Sequence, residues 1–315
     1  MDIRLSGTSS AAILMYHRVA ALNPDVHQLC IAPESFREHM NEVSRGYHAM
    51  ALLDLVNALA SGNVPPRAVA VTFDDGCIDN LGIASEILQA FDVPATFFIP
   101  TERLDEKREY WWDALERIFI SAIQLPPQLD LHEDQAVVYR TETGDERAAA
   151  HRALGERIRT ASRNERDALM NRITAWAGVD LAPRETHRPM VSDEIRELSR
   201  RRGHAIGAHS IHHLSLPAQP ADVQRNEVFG SKVHLEQLLG MPVTAFAYPY
   251  GHCDDATVKL VAEGFAVAVT ATAGPLSAHE NPLALPRIDA SPLTRGELGR
   301  SLDAMLNSAA PRPQA

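Results

Sequence analysis

The run Val69-Ala70-Val71-Thr72-Phe73-Asp74-Asp75-Gly76 dictates more about this chain's architecture than any other stretch. Its β-branched and aromatic residues favour a strand, and Gly76 permits a sharp turn after it. The two carboxylates therefore belong at the C-terminal end of a buried strand, the edge at which α/β folds gather their chemistry. Neighbouring strand residues point to opposite sides, but a turn at Gly76 lets Asp74 and Asp75 face one cleft. Two ionised carboxylates so close repel, which favours a cation between them or a shared proton. One can then bind a metal while the other works as a base. Taken alone, Asp-Asp-Gly also fits a plain strand-ending turn. A second element, His209-Ser210-Ile211-His212-His213, favours the chemical reading.

Along the chain, Ile13-Leu14-Met15-Tyr16 reads as a first buried strand that puts His17 in the same layer as Asp74 and Asp75. Helices are expected over 36–43 and 53–60, the latter stopped by Gly62, with a short strand over 47–51 between them. A helix over 83–91 and a strand bounded by Pro94 and Pro100 follow the acidic strand. Strands alternating with helices imply parallel βα units in a barrel or doubly wound sheet. From 102 to 188 the rhythm breaks. This stretch is charged and largely helical, with a strand conceivable over 136–139, and is too long for a loop; it reads as an insertion or lid. Within it Trp111 and Trp112 either stack on a sugar or base ring or pack the insertion onto the barrel. The alternation resumes with Ser192 as N-cap of a helix ended at Gly203. A strand over 205–208 then leads into His209. A helix over 226–239, a strand over 243–247 entering Tyr248-Pro249-Tyr250-Gly251, a helix over 256–262 and a strand over 265–270 come next. The last short segment is Leu285-Pro286-Arg287-Ile288, followed by a helix over 294–306 and a proline-containing tail, 309–315, that reads as disordered.

A chain of 315 residues, 45% hydrophobic, is enough for one large α/β domain or two smaller ones. A net charge of -11 argues against nucleic acid as the main partner. Cys30, Cys77 and Cys253 form neither a zinc pair nor a disulfide framework, and each is expected as a small buried residue. No run approaches the ~18 apolar residues of a membrane span. The short polar N-terminus lacks a signal-like run, so the expectation is a soluble, cytoplasmic protein.

His209 and His213 are four residues apart, which on a helical turn puts both imidazoles on one face. With Asp75 from a neighbouring strand end they would form a two-His, one-carboxylate set with positions left for water and substrate. Zinc there would acidify a bound water and polarise a carbonyl, with Asp74 beside it to take a proton. The same ligands suit cobalt, nickel or iron. The bland reading of so His-rich a stretch is a solvated loop.

These residues resemble the polysaccharide deacetylases of the fourth carbohydrate esterase family, the NodB-homology fold. Thr72-Phe73-Asp74-Asp75-Gly76 matches that family's first motif and His209-Ser210-Ile211-His212-His213 its His-Ser-x-x-His motif. The resemblance implies a distorted (β/α)7-type barrel, Asp74 as base, and Asp75, His209 and His213 as metal ligands. The third motif departs from the usual Arg-x-Pro-Tyr: Ala247 stands where the Arg belongs, in Phe246-Ala247-Tyr248-Pro249-Tyr250-Gly251. This is similar to the exopolysaccharide deacetylase subgroup. The family resemblance implies that the backbone N–H of Tyr250 helps bind the oxyanion; that Arg287 supplies the missing guanidinium to Asp74 is a separate hypothesis. The family's C-terminal apolar-pair-plus-His motif is found instead at Ile13-Leu14-Met15-Tyr16-His17, as in the permuted members of that subgroup. This implies His17 as the general acid, with Leu14 near the acyl pocket.

The expected protein is thus a single NodB-like domain over 1–315 with a helical insertion over 102–188. It would be a metal-dependent hydrolase removing an acyl group, acetyl first, from an N-acylated sugar, sugar precursor or glycoside. Two rivals share these residues: hydrolysis of a non-sugar amide or formamide, and a non-catalytic carbohydrate-binding relic, supported by the missing Arg of the third motif.

Overall fold

The computed structural model describes residues 11–308 apart from 103, 107, 123, 132–136, 278–279 and 295. The tail expected to be disordered, 309–315, lies outside them. Every pairing within the main sheet is parallel. Seven strands lie in line: Val267–Val269, Ala245–Ala247, His204–Ala208, Ala95–Ile99, Ala68–Phe73, Ala11–Tyr16 and Ile288–Asp289. An eighth, His48–Ala49, lies beside the first half of Ala68–Phe73. One segment touches both ends of this row. Leu285 bridges Val269, while Ile288 and Asp289 pair with Leu14 and Met15. The sheet therefore curls into the distorted α/β barrel that the resemblance implied.

Ala11–Tyr16 and Ala68–Phe73 are buried at every residue, as parallel strands covered on both faces must be. Their alternate side chains part company. Ala12, Leu14, Tyr16, Val69, Val71 and Phe73 join the core against Phe36, Met40, Ile195, Leu198 and Val228 of the surrounding helices. Ala11, Ile13, Ala68 and Ala70 join a second core with Phe98, Ala245, Val267 and Val269, into which Leu52–Ser61 packs Leu52, Leu55 and Leu59. Each buried aliphatic side chain contributes roughly 1.5–3 kcal/mol, so a polar residue at Ile13 or Val71 would loosen the strands that carry the acids. A row of rings crosses four strands. Tyr16 stacks on Phe73 at 5.5 Å, Phe73 on Phe97 at 5.0 Å, and His204 follows at 5.2 Å from Phe97.

Between Ile99 and His204 the chain leaves the sheet. Helices Trp111–Glu116, Gly144–Thr160 and Arg163–Ala177, with the π-helical turn Arg117–Ser121, pack Leu115, Ile118, Phe119, Leu154, Ile158, Leu169 and Ile173 into a core of their own. Within this largely helical region Gly144–Thr160 and Arg163–Ala177 are separate helices, because Ser162 and Glu165 form a capping box that starts the second. The strand conceived over 136–139 is Val138–Arg140, paired with Gln128–Asp130, and its expected start at Ala136 lies outside the described residues. Buried Arg18 ties this region to the barrel. It pairs with Asp79 at 3.2 Å and Asp113 at 3.7 Å, and donates to the Thr186 carbonyl.

Other boundaries move slightly. The helix expected over 226–239 begins at Ala221. The one expected over 83–91 opens with a π-helical turn, Asn80–Ala84. Ser192 is a first helical residue rather than the cap; Glu194 accepts the Val191 N–H at 2.8 Å. Among the described residues no helix is long and apolar enough to cross a membrane.

Candidate active site

Because the strands are parallel, the residues that follow them share one edge. Asp74 and Asp75 follow Ala68–Phe73, His17 follows Ala11–Tyr16, His209 follows His204–Ala208, and Tyr248-Pro249-Tyr250 follows Ala245–Ala247. Ladder bonds continue into these turns: the Asp74 N–H donates to Tyr16 O at 3.0 Å and the His209 N–H to Ile99 O at 3.1 Å. Four of the turn residues take left-handed backbone, Asp75 (φ 69°), Ser210 (φ 62°), His213 (φ 52°) and Tyr250 (φ 58°). Such conformations are disfavoured for side-chain-bearing residues and collect where function holds them. Gly76 and Gly251 share it (φ 60° and 71°), and both are cramped. A Cβ on Gly76 would meet Ile99 Cδ1 at 2.7 Å, and one on Gly251 would meet the Ala271 nitrogen at 2.4 Å.

The structure brings Asp75, His209 and His213 together, all buried. Asp75 Oδ1 lies 3.5 Å from His209 Nε2 and 3.3 Å from His213 Nε2, yet this buried oxygen has no hydrogen-bond partner. Ligands held tetrahedrally about 2.05 Å from zinc are about 3.3–3.4 Å apart, so these separations fit a shared ion. The His209 tautomer fits too. Its Nδ1 donates to the Ala247 carbonyl at 2.7 Å, which leaves the Nε2 lone pair free to ligate. Burial pushes the Asp75 carboxyl up, but His209 and His213 outweigh it and hold the group well below the usual carboxylate range.

The two histidines are not on a helix, as their spacing suggested. They sit in an irregular turn that the left-handed Ser210 and His213 fold back, with Ser210 Oγ accepting the His213 N–H at 3.0 Å. This loop is braced by Glu227, 1% exposed on helix Ala221–Leu239. The Glu227 carboxylate accepts the N–H groups of Ile211 and His212, at 3.1 and 2.7 Å, and pairs with the His212 ring. Sequence reasoning missed Glu227. A signal was present: it lies on the buried stripe of its helix with Gln224, Val228, Ser231 and Leu235, and an acid in such a stripe calls for a partner.

Arg287 reaches Asp74 through both guanidinium arms, Nη1 to Oδ1 at 2.8 Å and Nη2 to Oδ2 at 2.6 Å. Its Nε donates to Thr270 O at 2.7 Å and Nη1 also to Thr72 Oγ1 at 3.2 Å. Such a fork is the strong form of ion pair. Burial raises the Asp74 carboxyl, and the Arg287 charge and hydrogen bonds, with His209 and His17, more than offset that and hold it below the ordinary range.

A cavity of about 290 Å³ opens onto these groups, lined by His17, Asp74, Asp75, His209, His213 and Tyr250. His17 Nδ1 is buried without a hydrogen-bond partner, and the His17 carbonyl is held by Asn80 Nδ2 at 2.9 Å. The apolar lining comes from Met15, Leu29 and Ala271. Leu14, expected at the acyl pocket, points the other way into the core, as strand alternation requires. The 102–188 region contributes Trp111, Trp112 and Arg159 to the walls. Buried Trp112 stacks on Tyr110 at 4.3 Å and meets His213 at 5.0 Å, so it packs this region onto the barrel. Tyr110 donates its hydroxyl to the Asp75 carbonyl at 2.6 Å. Trp111 is half-buried.

A curled parallel sheet with acids and imidazoles converging at its C-terminal edge is the architecture of carbohydrate deacetylases. The polysaccharide deacetylase family profile matches residues 61–125 and 165–265, and the chain belongs to that family. It is 20% identical over 309 residues to the putative polysaccharide deacetylase YxkH of Bacillus subtilis (strain 168), spanning 97% of this chain and 79% of the relative. Its fold is similar to that of Streptococcus pyogenes deacetylase PplD in complex with acetate (TM-score 0.63, 20% identity, 95% of this chain and 99% of that one). It is also similar to IcaB from Ammonifex degensii (TM-score 0.61, 16% identity, 96% and 98%). The family match stops at 265 and leaves out 126–164, so Ala11–Tyr16 with His17, Arg287 and Arg159 fall outside it.

Proposed function

We propose that this protein is a metal-dependent deacetylase that hydrolyses the N-acetyl group of an N-acylated sugar, with 102–188 as an insertion within one catalytic domain. The observation that carries the reading is the meeting of Asp75, His209 and His213 beside an Arg287-locked Asp74 in one cavity.

Asp75, His209 and His213 would hold one divalent ion; zinc suits this donor set, as do cobalt, nickel and iron. Such an ion acidifies water and polarises a carbonyl. Asp74 is the base: it accepts the proton of the attacking water, and Arg287 keeps it ionised and fixes its direction. The Tyr250 N–H donates to the oxygen that gains charge as the acyl carbon becomes tetrahedral. His17, facing the same cavity, gives a proton to the departing nitrogen. One water and one amide become a carboxylate and an amine. Arg287 also weakens the relic reading, whose support was the guanidinium missing at Ala247: a guanidinium reaches Asp74 from the segment leading into Ile288.

Acetate release from a panel of N-acetylated sugars and non-sugar amides, with zinc-loaded and chelated protein, tests this. Release from a sugar that stops on chelation is expected. No release from any sugar by protein with bound metal, or release indifferent to chelation, would refute it.

A further inference from the structure

Arg159 lines the cavity and has no part in the deacetylation chemistry. Tyr250 touches two of its walls: its ring meets His213 at 4.5 Å and the Arg159 guanidinium at 5.5 Å. Arg159 comes from the last turn of helix Gly144–Thr160, inside the insertion. Local structure explains part of its placement. A cation is favoured at a helix C-terminus, and Glu156 lies 3.3 Å away. The rest is left over. The Glu156 side chain is 69% exposed, and exposed pairs stabilise little. Arg159 Nε is buried with no hydrogen-bond partner. The imidazoles at this part of the wall, His27 and His252, add no second cation beside it: burial first, then Arg159 itself, pushes each toward the neutral form.

The charges of the remaining lining point the same way. Asp74 is neutralised by Arg287. Asp75 is the one other acid among the residues that line the cavity, and a divalent ion would outweigh it. With such an ion bound, the cavity would be positive in a chain of net charge -11, and would select its ligands by charge.

We propose that Arg159 binds an anionic group, a phosphate or carboxylate, carried by the N-acylated sugar, so that the preferred substrates are acidic sugars rather than neutral ones. This rests on the deacetylase reading and adds the substrate class. The insertion thereby acquires a role in recognition, because Gly144–Thr160 brings to the barrel a cation that the seven-stranded scaffold does not supply at this wall.

The test compares N-acetylglucosamine with its 1-phosphate and with N-acetylmuramic acid, by isothermal titration into the zinc-loaded protein and by acetate release. A charge-assisted contact in a partly closed cavity corresponds to about tenfold or more in affinity. Wild type should bind at least one of the acidic sugars about tenfold more tightly than the neutral one. The preference should collapse to within about twofold in Arg159→Gln and survive in part in Arg159→Lys, with metal content and far-UV dichroism unchanged in both. Which acidic sugar carries the preference distinguishes phosphate from carboxylate. Equal affinities in wild type, or a preference that persists in Arg159→Gln because the anion sits on the metal, would overturn the proposal. Arg159-dependent binding without acetate release would sink deacetylation and leave the anion site standing. Acetate release with equal affinities would do the reverse, and binding of none of the sugars would remove both.

Discussion

Removing the Arg287 guanidinium should separate a structural ion pair from a merely nearby one. Arg287 and Asp74 are 1% and 4% exposed, and the fork between them has arms of 2.8 and 2.6 Å. Arg287→Met keeps most of the stem volume and leaves a buried carboxylate unpaired, together with a Thr270 carbonyl that has lost its Nε donor. Breaking such a pair from one side costs about 3–5 kcal/mol. In an Asp74→Asn background no stranded charge remains, and the same change should cost about 1–2 kcal/mol, the penalty for orphaned neutral polar groups. The coupling is then about 2–3 kcal/mol. Guanidinium-induced unfolding of wild type, both single variants and the double variant at pH 7 measures it, with chelator present so that metal binding does not contribute. The pH sign follows from the direction of the Asp74 shift. Its folded value is depressed, so in wild type its contribution is present at neutral pH and lost as pH falls through that value. In Arg287→Met the unopposed burial acts the other way, so the deficit against wild type should shrink on acidification. A loss below about 1 kcal/mol, or an equal loss in both backgrounds, would mean that Arg287 does not hold Asp74 ionised.

Four further outcomes are expected. Asp75→Asn, His209→Ala and His213→Ala should each abolish stoichiometric zinc measured after dialysis, and acetate release with it. Glu227→Ala should weaken zinc about 10–100-fold by competition titration, as loss of the outer support of a metal ligand does, whereas Glu227→Gln, still able to accept from the two backbone N–H groups, should lose less; equal affinities in all three proteins would remove its bracing role. His17→Ala should lower turnover about 10²-fold or more with zinc retained; near-normal turnover would exclude it as the acid. Asp113, raised to about 7 chiefly by burial, binds its proton more tightly folded than unfolded, so stability should fall as pH rises from about 4 to 7, by up to about 4 kcal/mol; Asp113→Asn should flatten that slope, and a slope unchanged from wild type would show that the group titrates normally.

Legibility in the sequence followed the range of the interactions. The acidic strand could be read because its signal is local: Val69 to Phe73 favour a strand by themselves, and Gly76 marks the turn. The strand at Ile13 to Tyr16 was legible for the same reason, and it carried His17 to the right edge. The His209–His213 turn was misread because spacing of four fits a helix, while the conformation depends on φ values near 60° at Ser210 and His213. These are held by distant partners: Glu227 on the backbone of 211 and 212, and Arg166 on the His212 carbonyl at 2.6 Å. Neither Ser nor His announces a left-handed residue. Glu227 itself was hidden because its role exists only once helix Ala221–Leu239 has docked. Arg159 was beyond reach altogether, being one of many arginines in a charged stretch until folding sets it against Tyr250.

The pairing of Arg287 with Asp74 depends on how the sheet is built. Position 247 must be small, because Ala245, Ala247, Val267 and Val269 fill the same core beside Leu285. The Ala247 carbonyl is already engaged in fixing the His209 tautomer. Arg287 stands where the chain passes from Leu285, bridged to Val269, to Ile288, paired with Leu14. It therefore enters from the segment that joins the two ends of the sheet. A charge delivered there depends on that segment keeping both of its sheet contacts. Loosening that junction, for example by Leu285→Asp, should weaken the base and the fold together, whereas Arg287→Lys should keep the fold and lose the two-armed grip that directs Asp74. Acetate release that falls in Arg287→Lys while its unfolding midpoint stays near wild type would support that division; equal losses of both would mean that Arg287 serves the fold alone.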